Sequence, residues 1–328
     1  MKGVRHVRSS RVFTTCSLGP ACLLVLAGCA AGPKYVDVPI RSLPLATGYR
    51  IIAPASRAES SPAELLQRVA RADVVFIGEE HDDPETHRAE AELLDAFGQL
   101  GRPIVLSLEM FERDVQPALD DYLAGRINEP DFLARSRPWD RYATDYRPLV
   151  EMAKRHHWPV IASNVPRPLA SAIGRKGLAA LDTLVPRERA MAARQVTCPS
   201  DDYRARFMES MRSHSPGSGP APRAGDSLPS AMAERFYLAQ CVKDETMAES
   251  VVRARRAMKA DALLVHVDGS FHSDYGQGTV ARVRRREPSW DVVVVTAVPV
   301  PDPATAPMAT QAGRAEFVVF TRRAKQPD

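Results

Sequence analysis

The sequence predicts an α/β fold: a mostly parallel sheet of about six strands with helices on both faces. Three observations carry that expectation. Short apolar runs, such as residues 74–77 and 292–295, lack the alternation of a one-sided strand, as expected where both faces are covered. These runs alternate with helical stretches, which implies parallel pairing through crossovers. The composition, 45% hydrophobic and 26% charged, is globular and can supply a core.

The elements follow in order. Residues 1–12 are basic, and residues 23–26 form a short apolar run that ends in Leu26-Ala27-Gly28-Cys29. This pattern predicts a signal peptide over 1–28. Residues 29–60 are dotted with Pro and Ser and read as a tether with an entry segment. One α/β domain is expected over 61–328. Its strands are expected at 73–78, 103–108, 159–163, 262–267, 291–296 and 316–321. Helices are expected at 84–99, 112–125, 129–135, 148–157 and 230–258, with 166–195 helical throughout. Residues 213–229, rich in Ser, Pro and Gly, read as an exposed loop. No internal repeat is visible, and no apolar stretch reaches the 18 residues of a spanning helix.

The formal charge of +4 is concentrated in the leader. Lys2, Arg5, Arg8 and Arg11 face no acid within 1–28, so without them 40 basic residues balance 40 acidic ones. That balance argues against a nucleic-acid partner recruited by net charge. Of five cysteines, Cys16 and Cys22 fall in the leader. Cys198 and Cys241 remain either as two inert thiols or as a disulfide, permitted in an exported protein and contributing about 4 kcal/mol in the chain-entropy model.

The chemistry is expected where strands end. The first strand runs into Gly78-Glu79-Glu80-His81-Asp82, the second into Glu109, the third into Asn164, and the fourth into Asp268-Gly269-Ser270-Phe271-His272. In a parallel sheet these carboxyl ends share one edge, where such folds bind ligands. A lone Glu after a strand is usually a solvated loop residue, but four polar strand ends on one rim are harder to assign to chance. Glu79, His81, Glu109 and His272 make either a divalent-metal set that activates water or a metal-free acid–base pair of dyads. Gly78 suits a tight turn or a close approach. No His-Glu-x-x-His, Gly-x-Ser-x-Gly or phosphate-cradling Gly-x-x-x-x-Gly-Lys pattern is present. His87 reads as a surface residue of the following helix, and His266 as a satisfied core residue. Trp139, Tyr142 and Tyr146 recur at helical spacing, either as a staple holding a helix to the sheet or as a wall for a flat, acidic, apolar ligand. Tyr can ligate ferric haem, and Arg147 or Arg167 could pair with propionates.

These motifs, in this order, resemble the ChaN family of haem-binding uptake lipoproteins, within the Tiki-type superfamily. The resemblance is carried by residues 75–82 (Val-Phe-Ile-Gly-Glu-Glu-His-Asp), 108–111 (Leu-Glu-Met-Phe), the Trp139…Tyr142…Tyr146-Arg147 segment, 162–167, Gln240…Asp244…Met247-Ala248, and Gly269…His272…Gly276. It covers roughly residues 65–300. It implies haem binding by a tyrosine, a role in iron acquisition, and a dimer. Tyr142 and Tyr146 match best, with Tyr203, Tyr237 and Tyr275 as alternatives; Asn164, Arg147 and Arg167 complete the expected haem-binding set. Leu26 to Cys29 resembles a bacterial lipobox, which implies an acylated Cys29. Two or more acyl chains give stable anchoring, and Ala30 implies the outer membrane, facing the periplasm. The wider superfamily includes hydrolases whose Glu and His positions match Glu79, His81, Glu109 and His272. The resemblance therefore implies a haem carrier, with a metal-dependent peptide or ester hydrolase as the alternative.

Overall fold

Eight strands form one mixed sheet, where about six were expected. The computed structural model describes residues 48–213 and 230–323. The expected signal peptide, Cys29, most of the tether and the loop from residue 214 to 229 lie outside the described residues. The elements are β1 (Arg50–Ala53), β2 (Ala58–Glu59), α1 (Pro62–Val69), β3 (Val74–Glu79), α2 (Pro84–Gly98), β4 (Ile104–Glu112), α3 (Gln116–Leu123) and α4 (Glu129–Ser136). A π-helical turn (Tyr142–Tyr146) leads into α5 (Arg147–His156), β5 (Val160–Asn164), α6 (Arg167–Lys176), α7 (Pro186–Arg189) and α8 (Asp202–Ser213). Then come α9 (Ser230–Ala257), β6 (Leu263–Gly269), α10 (Gly278–Arg286), β7 (Val292–Val300) and β8 (Phe317–Arg322).

The strand order is β2-β1-β8-β7-β3-β6-β4-β5. The six expected strands are β3 to β8, and their pairings with one another are all parallel. The two additions, β1 and β2, pair antiparallel along the β8 edge. They are four and two residues long, too short to show a period in the sequence. Part of the expected tether is therefore sheet.

Local chemistry sets the helix ends. Ser61 and Glu64 form a reciprocal capping box at the start of α1. Asp83 caps α2 ahead of Pro84, so the chain turns from strand to helix just past His81. The stretch 166–195, expected to be helical throughout, breaks instead. Gly177 takes a φ of +72° at the end of α6, and only the four residues of α7 resume α-helix beyond it.

The sheet buries both faces. On one, Val75, Ile77, Leu106, Leu108, Val265 and Val293 pack with Leu65, Leu93, Phe97 and Leu149. On the other, Val74, Phe76, Val105, Leu264 and Val294 pack with Val251 of α9 and Val283 of α10. Each such side chain contributes about 1.5–3 kcal/mol when fully buried. No helix among the described residues is long and apolar enough to cross a membrane.

Candidate functional site

Strand order brings the site together. β6 lies between β3 and β4, so the strands that carry Glu79, Glu109 and the turn to His272 are neighbours. Glu79 pairs in register with Gly269. The Glu109 carboxylate accepts the Gly269 backbone N–H at 2.8 Å, which ties β4 to the end of β6. A Cβ on Gly269 would lie 2.6 Å from His81 Nε2, so the absent side chain lets the imidazole fold over the strand end. A Cβ on Gly78 would meet Ser270 Cα at 3.1 Å; its close approach is to the β6 turn.

Two carboxylate–imidazole pairs result. Glu79 Oε1 lies 2.5 Å from His81 Nδ1 and accepts the Tyr146 hydroxyl at 2.9 Å. Glu79 is 1% exposed, whereas the His81 side chain is 43% exposed and forms the mouth of the site. Trp139 packs edge-on against His81, with ring centres 4.9 Å apart. In the second pair His272 Nδ1 lies 2.7 Å from Asp244 Oδ1 on α9, and its Nε2 lies 3.3 Å from Glu109 Oε1. Tyr203 and Thr279 donate to the same Asp244 carboxylate.

The protonation states follow from burial set against partners. Burial alone would raise Glu79, but His81 and His87 hold it below the usual carboxylate range. Burial would lower His272, yet the negative charges of Glu109 and Asp244 push it up to about 10. Glu109 is correspondingly low: burial is outweighed by the His272 cation. His81 is raised, because the Glu79 hydrogen bond and the Glu109 charge outweigh its desolvation. His272, wedged between two carboxylates, is therefore a structural cation. His81, at the mouth, is the imidazole able to exchange a proton with a ligand.

Sequence reasoning misplaced one histidine. His87, expected at the surface, is 3% exposed. Its Nδ1 lies 2.7 Å from Glu79 Oε2 and 3.4 Å from Glu90 Oε2, and its Nε2 faces the His81 carbonyl at 3.2 Å and Asp145 Oδ2 at 3.3 Å. Among the described residues, the histidine and acid groups whose ligand atoms converge within 4.8 Å are Glu79, His87 and Glu90, not the expected four. The i, i+3 spacing of His87 and Glu90 on a helix starting beside Glu79 is a signal that could have found them. Burial and the Glu79 charge raise Glu90 well above the carboxylate range, while Glu79 and Glu90 raise His87 to about 11 despite burial.

The other expected residues scatter. Tyr142 is 3% exposed and packs against Phe111 and Phe132; Tyr146 is 1% exposed and bonded to Glu79. Arg147 pairs with Glu129 on α4. Arg167 pairs with Glu112 at 3.2 Å and lies 5.9 Å over the Trp139 ring. Asn164 is buried and its side chain accepts the Val165 N–H. Cys198 and Cys241 are free thiols in mutual contact. His266 is buried as expected but half satisfied: Nδ1 meets Ser107 Oγ at 2.9 Å, and Nε2 has no hydrogen-bond partner.

Tyr275 is different. It is 45% exposed, just past His272, with a φ of +62°. The Arg206 guanidinium lies 4.7 Å over its ring, and its N–H donates to the Arg314 carbonyl at 2.6 Å. Arg314 in turn lies 3.7 Å from Glu80, the neighbour of His81.

Fold and site together define an α/β protein with a carboxylate–imidazole rim at the carboxyl edge of its sheet. The chain belongs to the haem-binding uptake family ChaN of the Tiki superfamily, whose family model matches residues 65–283. Among solved structures it is similar to one described as cofacial heme binding to ChaN of Campylobacter jejuni. That likeness has a TM-score of 0.58 and 14% identity, and covers 83% of this chain and 96% of that one. An erythromycin esterase is a weaker likeness, with a TM-score of 0.43 and 13% identity over 81% of this chain and 80% of that one. Among curated proteins, a chloroplastic RETICULATA-RELATED 5 of Arabidopsis thaliana is 24% identical over 244 residues, or 70% of this chain. The match spans 31% of that relative's length.

Proposed function

We propose that this chain binds haem on the rim beside His81 and His272, with Tyr275 as the iron ligand, and serves in haem or iron uptake. The observation that carries the reading is exposure. Tyr122, Tyr142, Tyr146, Tyr203 and Tyr237 are at most 3% exposed, against 45% for Tyr275. A left-handed backbone at a non-glycine residue costs about 1–3 kcal/mol and persists where the surroundings hold it, often at ligand clamps. Phenolate is a known ligand of ferric haem. The residues present fit such a group: Phe271 and the Tyr275 ring offer apolar surface, and Arg206 and Arg314 are cations suited to propionates. The expected ligands Tyr142 and Tyr146 would have to leave the core to reach a porphyrin.

Anchoring belongs to the same proposal. The lipobox-like Leu26 to Cys29 and the following Ala30 support an acylated protein on the periplasmic side of the outer membrane. A homodimer pairing two Tyr275 faces is part of this reading.

Haemin titration of the purified protein tests it. A saturable Soret shift with a tyrosinate-type charge-transfer band is expected. Tyr275→Phe should abolish that band, while Tyr142→Phe should keep it. Binding unchanged in Tyr275→Phe would overturn the assignment.

One observation favours a second reading, a hydrolase: an exposed His81 backed by Glu79, beside the His272–Glu109 pair. Acid–base help of this kind contributes roughly 10²–10⁴-fold. Peptidase or esterase activity lost in His81→Ala, with haemin binding retained, would support it.

A further inference from the structure

We propose that Glu79, His87 and Glu90 form a buried site for one divalent transition-metal ion, behind the rim and sharing only Glu79 with it. The first argument is tautomeric. His87 Nε2 faces a backbone carbonyl, the His81 oxygen at 3.2 Å, which can only accept. Asp145 Oδ2 lies on the same side at 3.3 Å and is itself held by Arg141 Nε at 2.5 Å. A metal ion entering here would take the place of the Nδ1 proton, leaving the ring neutral with its remaining proton on Nε2 and the Nδ1 lone pair turned inward. That lone pair meets two carboxylate oxygens, Glu79 Oε2 at 2.7 Å and Glu90 Oε2 at 3.4 Å. These ligand atoms converge on one point, which the imidazolium proton holds without metal and a divalent ion would hold in its place.

The second argument is an orphan count. Glu79 Oε2 and Glu90 Oε1 are buried and receive no well-aligned hydrogen bond; the short line from His87 Nδ1 to Glu79 Oε2 is badly directed for an N–H donor. Glu90 is 0% exposed and Glu79 1%. An unsatisfied buried carboxylate oxygen is costly, and a metal ligand removes that cost. The charges also close once the ion has displaced the His87 and Glu90 protons: two carboxylates and a neutral imidazole then balance a 2+ ion.

The third argument is the outer arrangement. A metal-ligating histidine usually donates its other N–H to a carboxylate or carbonyl, and the Asp145 and His81 oxygens supply both. Asp145 sits on the π-helical turn between Tyr142 and Tyr146, a distortion that recurs at functional sites. One imidazole with two carboxylates suits zinc, manganese, iron or cobalt; calcium and magnesium favour oxygen-only shells. The rim pair is a poorer host, because both nitrogens of His272 already face Asp244 and Glu109. An ion at the inner site would fix Glu79, whose other oxygen holds His81.

Cobalt(II) is the probe. The purified chain is stripped with chelator, dialysed, and titrated with Co²⁺ alone, without haem, so the outcome is separate from the haem reading. One equivalent should bind with visible d–d bands, and Zn²⁺ should displace it. Glu90→Gln and His87→Gln should weaken binding by 100-fold or more, and Asp145→Asn by about 10–100-fold. His272→Ala and Glu109→Gln should leave it within about three-fold. No Co²⁺ uptake by the folded protein would overturn the proposal, as would uptake lost in His272→Ala and kept in Glu90→Gln. If the inner variants fail to fold, zinc-edge X-ray absorption on the unaltered chain decides. One imidazole supports the inner site; two imidazoles place the ion on the rim and refute it.

Discussion

His266 shows how one buried side chain sets a pH limit. It is 0% exposed, and burial pushes its imidazole down to about 3 from an ordinary 6.5. The unfolded chain therefore takes up this proton first, so the stabilisation is complete above pH 6.5 and is lost as pH falls toward 3. The loss is about 1.4 kcal/mol per pH unit once the unfolded histidine is charged. His81, His87 and His272 have raised affinities, so near pH 6.5 only their unfolded forms titrate, and their contribution opposes the His266 slope until those forms are charged. Chemical denaturation from pH 6.5 to 5 should show His266→Gln gaining more stability, or losing less, than the unaltered chain as pH falls; equal slopes would refute the attribution. Gly269 offers a second residue-scale test. Gly269→Ala places a Cβ 2.6 Å from His81 Nε2, the free end of an exposed side chain that can rotate away. Folding stability should fall by only about 1 kcal/mol. The His81 imidazole should lose its Glu79 bond and titrate nearer its ordinary range, which NMR of the ring protons would detect. Gly78 was legible in the sequence as a turn or close approach; that Gly269 makes room for His81 was not.

At the scale of elements, helix α9 matters more than its sequence suggested. A long amphipathic helix was expected over 230–258, and Ser230–Ala257 is observed. Its Asp244 holds His272, and its Glu245 is fully buried and pairs with Arg285 and Arg286 of α10. In the sequence Asp244 stands in a family-like motif and Glu245 in none; neither role is visible locally, because the partners lie about 30 to 40 residues away. Cys241, on the same helix, meets Cys198 from the segment before α8. Contact between the thiols lowers Cys198 and raises Cys241, so Cys198 is the readier thiolate. Mild oxidation of the folded protein should close a disulfide and raise its stability by up to about 4 kcal/mol. Thiol counting under denaturing conditions checks this; a count unchanged by oxidation would leave them as inert packing.

Across the whole molecule, the sheet extends beyond the domain boundary the sequence suggested. Ile51 and Ile52 of β1 are 5% and 0% exposed, and Arg50 reaches Glu59 and the Ala306 carbonyl. A chain beginning at residue 61 would uncover β8, including Val318 and Phe320. Each isoleucine contributes about 1.5–3 kcal/mol. The truncated chain should melt well below the full one and bind more hydrophobic dye; equal melting would refute a structural role for β1.

The sequence alone determined the fold class, the six parallel strands, and the placing of Glu79, Glu109 and the turn to His272 at the carboxyl ends of strands. These rest on local runs of apolar residues and on the rule that parallel strand ends share an edge. Tertiary structure decided the rest. Burial separated Tyr275 from the core tyrosines, and the packing of α2 against the sheet turned His87 and Glu90 inward. Both outcomes depend on which face of an element is covered, a property of neighbours distant in sequence that no local pattern encodes.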